Sequence, residues 1–114
     1  MANILNIGVR REHVEIRALA LIQAGHKVHN ALSITELNQH IREEVPDMVV
    51  IGHNIPAIEK RRAFEWVKEN CKGCRVVEIY SLLPELMTAD AHVCWNQGTD
   101  AVVKAVNQAA GATN

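Results

Sequence analysis

The sequence lacks an excess of charge of either sign: twelve Lys and Arg stand against thirteen Asp and Glu, a formal net charge of -1 over 114 residues. That balance leaves no electrostatic footprint for nucleic acid or for an anionic membrane surface. Long hydrophobic runs are missing too. Although 48% of the residues are hydrophobic, no apolar stretch approaches the roughly 18 to 20 residues that cross a bilayer. The opening MANILNIGVRRE has neither the apolar h-region nor the cleavage pattern of a signal peptide, so the protein is expected to be soluble and cytoplasmic. Cysteine is scarce and odd in number, three residues, which excludes a fully paired disulfide framework and suits reduced thiols. Repeats, low-complexity tracts and linkers are also absent. One domain spanning residues 1–114 is therefore expected, large enough to bury about two-thirds of the unfolded surface.

What is present alternates. Asn3 to Gly8 reads as a first strand that ends on a glycine. His13 to Ala24 follows as a helix with Val14, Ile16, Ala18, Leu21 and Ile22 on one broad apolar face and Gly25 past its end. Lys27 to Leu32 is a short second strand. Ser33 and Glu36 satisfy the capping-box pattern and open a second helix, which reaches about Glu44 before Pro46. Met48-Val49-Val50-Ile51 is apolar without alternation, as a strand buried on both faces of a parallel sheet requires. After Pro56 a third helix runs from Ala57 to Asn70, packing Ile58, Ala63, Phe64 and Val67, with Lys60 among the residues expected in solvent. Arg75 to Ser81 makes a fourth strand, in which Glu78 needs an edge position or a partner. Leu83 to Thr88 reads as a brief fourth helix, and His92 to Trp95 as a fifth strand. Thr99 caps a fifth helix to about Ala110, beyond which the chain is expected to fray.

Five strands alternating with helices imply an α/β three-layer sandwich, a parallel sheet covered on both faces. The flavodoxin-like order 2-1-3-4-5 is expected, with its switch point between strands one and three. Loops at the carboxyl ends of such strands carry function. That brings Gly8-Val9-Arg10-Arg11 beside Gly52-His53-Asn54. Arg10, Arg11, His53 and Asn54 are the side chains there that could hold an anionic ligand, with loop amides. Cys71 and Cys74 form a CxxC spacing at a helix end, which serves as half a zinc site, a redox pair, or simply a turn. Neither the histidines nor the serines form a metal or nucleophile motif, so no cofactor, no metal and no enzymatic activity is expected.

The fragment PDMVVIGHNIP, Pro46 to Pro56, together with the order and spacing of the elements, resembles the response-regulator receiver domain of two-component signalling and phosphorelay. The resemblance extends from Asn3 to about Ala110. It implies that Gly52 stands at the phosphoacceptor Asp position, Gly8 and Val9 at the acidic pair that holds magnesium, Tyr80 at the Thr or Ser ending the fourth strand, and Trp95 at the Lys ending the fifth. None of these residues supplies the family's chemistry, because magnesium needs hard oxygen ligands and phosphoryl transfer needs a carboxylate nucleophile. The sequence thus resembles a degenerate receiver, a pseudo-receiver.

Two functions are open. One is a stand-alone bacterial signalling module that docks on a protein partner without phosphorylation, and that could form a homodimer through the helix-4, strand-5 and helix-5 face. The other is a flavodoxin-like domain that binds an anionic ligand at the switch point between strands one and three.

Overall fold

The structure, a computed structural model, describes residues 2–111; of the fraying expected from Gly111 onward, Gly111 is instead the last residue of the final helix, and residues 112–114 lie outside the described part. Five strands pair in parallel in the order β2-β1-β3-β4-β5, as the alternation implies. They are β1 Asn3–Ile7, β2 Lys27–Ala31, β3 Met48–Ile51, β4 Arg75–Tyr80 and β5 Ala91–Cys94. Helices α1 Arg11–Gln23, α2 Ile34–Glu43, α3 Ala57–Asn70 and α4 Thr99–Gly111 connect and cover them. No helix among the described residues is long and apolar enough to cross a membrane.

The two faces of the sheet carry separate cores. Leu5, Ile7, Val49, Ile51 and Val76 pack with Leu37 and Ile41 of α2 and with Ala63, Phe64 and Val67 of α3. Ile4, Met48, Val50, Val77 and Ile79 pack on the other side with Leu21 of α1 and with Val102, Ala105 and Val106 of α4. Successive side chains of a strand point to opposite faces. The unbroken apolar run of β3 is thereby explained, since every residue from Met48 to Ile51 is buried.

Helix starts follow local chemistry. At the start of α2 the Ser33 hydroxyl accepts the Glu36 N–H at 3.2 Å, the cap that the sequence pattern requires. Helix α1 begins two residues earlier than expected, so Arg11 and Glu12 lie in its first turn. The buried stripe of α1 is Val14, Arg17, Ala18 and Leu21, whereas Ile16 and Ile22, expected in the core, are exposed. Ile58 of α3 is exposed as well.

The fourth helix expected at Leu83–Thr88 does not form; turns and bends join β4 to β5. The face expected for a homodimer is therefore built of this irregular connection, β5 and α4. The physical reason is that so short a segment closes too few internal bonds to offset the cost of helix nucleation, and its contacts go to β4 instead. The fully buried Glu78 carboxylate accepts the N–H of Glu85 at 2.8 Å and of Leu86 at 3.1 Å. Lys60, expected in solvent, is also fully buried. Its ammonium lies 2.9 Å from Glu78 Oε2 and donates to the Ile79 carbonyl at 2.8 Å. His92 Nδ1 contacts the other carboxylate oxygen at 2.9 Å. Glu78 thus has its partners, and α3, β4, β5 and the connection meet on it.

Removing one member of a buried ion pair strands the other charge, at a cost of about 3–5 kcal/mol. Lys60→Met is expected to lower stability by that amount, read from urea unfolding. Burial alone would raise the Glu78 pKa, but the Glu85 N–H, Lys60, the Leu86 N–H and His92 together hold it below the ordinary value. A carboxyl lowered in the folded state adds stability that is complete well above the ordinary glutamate pKa of about 4.3, and that is lost as pH falls through the lowered value. Urea midpoints measured from neutral to acid pH are expected to fall, and Glu78→Gln to flatten part of that fall; parallel curves for the two proteins would contradict this.

Candidate functional site

Strands β1 and β3 end side by side, Ile7 opposite Ile51. Connections from them leave to opposite faces of the sheet, α1 on one and α3 on the other. The crevice at their carboxyl ends is the switch point at which such sheets place ligands. Gly8 and Gly52 are the first residues past the two strands, and both are buried. The Gly52 N–H donates to the Ile7 carbonyl at 2.9 Å, which draws the two loops together.

The group that fills this crevice is Arg17. Its side chain rises from the buried stripe of α1 and is only 5% exposed. Nε donates to Asn6 Oδ1 at 2.6 Å and Nη2 to the Ile7 carbonyl at 2.8 Å. Asn6, itself fully buried in β1, donates to the Val14 carbonyl at 2.9 Å and to Asn30 Oδ1 at 3.1 Å. Burial lowers the Arg17 pKa to about 10. At neutral pH it still carries its positive charge. A Cβ on Gly52 would stand 3.1 Å from Nη2 and 3.0 Å from the Ile7 oxygen; one on Gly8 would stand 2.6 Å from Val14 Cγ2 and 3.3 Å from Nη2. Glycine is thus favoured at residue 8 mainly by the Val14 side chain, and at residue 52 by the tight approach of the Ile7 oxygen and the guanidinium.

The remaining site residues sit around this centre. His53 is half-buried and stacked between two rings, 5.4 Å from His13 and 5.3 Å from Trp95 by centroid. Burial first, then the charges of His13, Arg17 and Lys60, lower its pKa. Asn54 is exposed and contacts His13 Nδ1 at 3.4 Å. Arg10 and Val9 are exposed at the mouth, while Arg11 faces Glu15 on the helix surface at 3.7 Å. Tyr80 ends β4 half-buried, and Trp95 opens a short 3₁₀ turn after β5. The strand expected to reach Trp95 stops at Cys94.

Sequence reasoning missed Arg17, Asn6 and His13. Two signals pointed to them: an asparagine inside the apolar run of the first strand, and an arginine spaced three from Val14 and four from Leu21 on the apolar face of α1. A buried polar residue in such a place requires a hydrogen-bonding partner.

A magnesium site does not fit these residues. Gly8, Val9 and Gly52 offer no carboxylate, Mg²⁺ calls for oxygen ligands, and a guanidinium already occupies the floor. No group of three or more His, Cys, Asp and Glu able to hold a metal occurs among the described residues. Cys71 and Cys74 are both buried. Burial first, then its hydrogen bond with Cys71, push the Cys74 thiol well above its usual pKa. A thiol in that state is a poor nucleophile.

The order of the sheet and the crevice at its rim define the receiver-domain fold. Solved structures agree. The chain is similar to a response regulator receiver domain protein from Clostridium thermocellum, with a TM-score of 0.84, 18% identity and coverage of 99% of this chain and 97% of that one. It is similar to the response regulator TrrA of Thermotoga maritima, solved in complex with Mg²⁺ and BeF, at a TM-score of 0.82 and 16% identity over 96% of this chain and 99% of that one. NtrX of Brucella abortus, solved with ATP, matches at a TM-score of 0.81 and 16% identity over 95% of this chain, which spans 26% of the NtrX chain. No family model and no curated protein sequence matches the chain.

The ring stack is directly testable by nuclear magnetic resonance. His53 is expected to titrate below the ordinary histidine value of about 6.5. Trp95→Ala, which uncovers one face of the imidazole, is expected to move that midpoint upward; an unchanged midpoint would take Trp95 out of the cause.

Proposed function

We propose that this chain is a pseudo-receiver, a single receiver-like domain that works in bacterial signal transduction by docking on a partner protein without phosphorylation and without catalysing a reaction. The observation that carries this reading is the Arg17 guanidinium bonded to Asn6 and Ile7 between two buried glycines. On the receiver register, Gly52 takes the phosphoacceptor position and Gly8 and Val9 the acidic pair. A fixed cation then lies where a metal and a nucleophilic carboxylate would have to meet. Phosphoryl transfer relies on positioned metal and charge, and here neither a ligand set nor a nucleophile remains.

Docking has apolar groups to use. Leu82, Leu83 and Met87 on the β4–β5 connection are 76–89% exposed, and Trp95 past β5 is 52% exposed. Aromatic and large apolar anchors of this kind concentrate binding energy at interfaces. They lie on the connection, β5 and α4 face, the surface proposed for a partner or a second copy of the chain.

Incubation with acetyl phosphate and magnesium is expected to add no phosphoryl group by intact-mass measurement. The same holds for Gly52→Asp, which restores the nucleophile but neither the metal ligands nor the space. An acid- or base-labile phosphate on the unmodified chain would refute the proposal. For the docking face, light scattering over a range of concentrations reads self-association, and Leu83→Ser with Met87→Ser is expected to reduce it or, for a partner complex, to weaken capture about tenfold or more.

A further inference from the structure

We propose that the recess between α1 and α4 is a binding site for a small organic carboxylate with a compact apolar body, whose charge pairs with Arg17. The inference stands independently of the pseudo-receiver reading, and differs from an anion site built on Arg10 and Arg11.

Arg17 is a charge without a counter-charge. It uses its Nε and one Nη2 bond on neutral acceptors, Asn6 and the Ile7 carbonyl. None of the ion pairs among the described residues includes it. A guanidinium has five N–H donors, so donors remain for a carboxylate, which it binds as a planar fork. A buried cation left unpaired is costly, and an incoming anion would recover that cost.

The recess decides what kind of anion. Arg17 borders two cavities. That between the Gly8 and Gly52 loops is about 10 Å³, no larger than a water site. The other, between α1 and α4, is about 190 Å³. Of the two, the recess on the helix side is the one with room for an anion larger than water. There the walls are mainly apolar, with Ile16, Ile79, Val102 and Trp95, and the rings of His13 and His53 also border it. Thr99, the first residue of the 13-residue α4, also borders the recess. The partial positive charge of a helix N-terminus favours an anion at that end. Asp100 in the same turn is exposed and does not border the recess. The polar groups on these walls, Arg17, Thr99, His13 and His53, are set in mainly apolar surface, which favours a single carboxylate on an apolar body over phosphate or a nucleotide. Drug-sized ligands occupy roughly 300–1,000 Å³, so the smaller volume limits the body to about one ring.

Benzoate is the probe. Titrated into the full chain, it is expected to shift the Trp95 indole and Thr99 amide resonances saturably, with benzamide binding about tenfold or more weakly because it lacks the charge. Arg17→Met is expected to remove the preference for benzoate over benzamide. Should that variant not fold, Ile16→Asp, placed at an exposed position on the rim, is expected to weaken benzoate about tenfold and leave benzamide unchanged. Absence of a saturable shift, equal binding of benzamide, or an undiminished benzoate preference in the folded variants would overturn the proposal. Inorganic phosphate moving the same resonances at lower concentration than benzoate would also overturn it, in favour of a plain oxyanion site.

Discussion

At the carboxyl rim of the sheet, one guanidinium is held by the strand it leans on and by the asparagine that strand carries. Arg17 ties α1 to β1 through Asn6 and the Ile7 carbonyl, and Asn6 continues the chain of hydrogen bonds to Asn30 on β2. Buried polar networks of this sort fix geometry only when their members are satisfied. Asn6 spends both amide hydrogens and its oxygen; Arg17 keeps donors in reserve. Gly52 follows from that arrangement, since any Cβ at residue 52 would press on both the guanidinium and the Ile7 oxygen. Gly52 is thus better understood as a requirement of the arginine than as a mere deletion of a side chain.

A second buried charge shapes the opposite end of the rim. Lys60 and Glu78 neutralise one another without access to water. The carboxylate then turns two main-chain amides of the β4–β5 connection toward the core. That capture leaves Leu82, Leu83 and Met87 outside while Leu86 stays buried. The carboxylate thereby helps fix which side of the connection faces the core and which stays outside. It also brings Lys60 close enough to bear on His53, so the two charge centres act on one ring.

Periodicity made the sheet order and most element bounds legible in the sequence. Met48 to Ile51 could only be a doubly covered strand, and Ser33 with Glu36 marked a helix start that forms with the expected cap. Glu78 announced a partner but not its identity. Lys60 was hidden because a lysine among Glu59, Arg61 and Arg62 looks like one more solvated charge, and nothing local tells that one of the four points inward. Arg17 was hidden for a related reason: the apolar residues of α1 exceed what one face can bury, and the stripe that wins contains the arginine while Ile16 and Ile22 lose. Leu83 to Thr88 misled because helix propensity is a weak prior in a segment too short for its internal bonds to offset nucleation.

On the pseudo-receiver reading proposed above, the fixed cation at the switch point bars switching there by a metal and a phosphoryl group, yet conformational response is not thereby lost. Two states respond to a ligand only when it binds them unequally. Stacked His13, His53 and Trp95 span three separate pieces, α1, the β3 loop and the turn after β5, and both ends of the stack, His13 and Trp95, are exposed. A molecule that covers Trp95 or reaches Arg17 touches pieces that this stack, together with the Asn54–His13 contact, holds to one another. For the ligand and the docking partner proposed above, these rings are the place of coupling, because His53 both walls the recess beside Arg17 and stacks against Trp95.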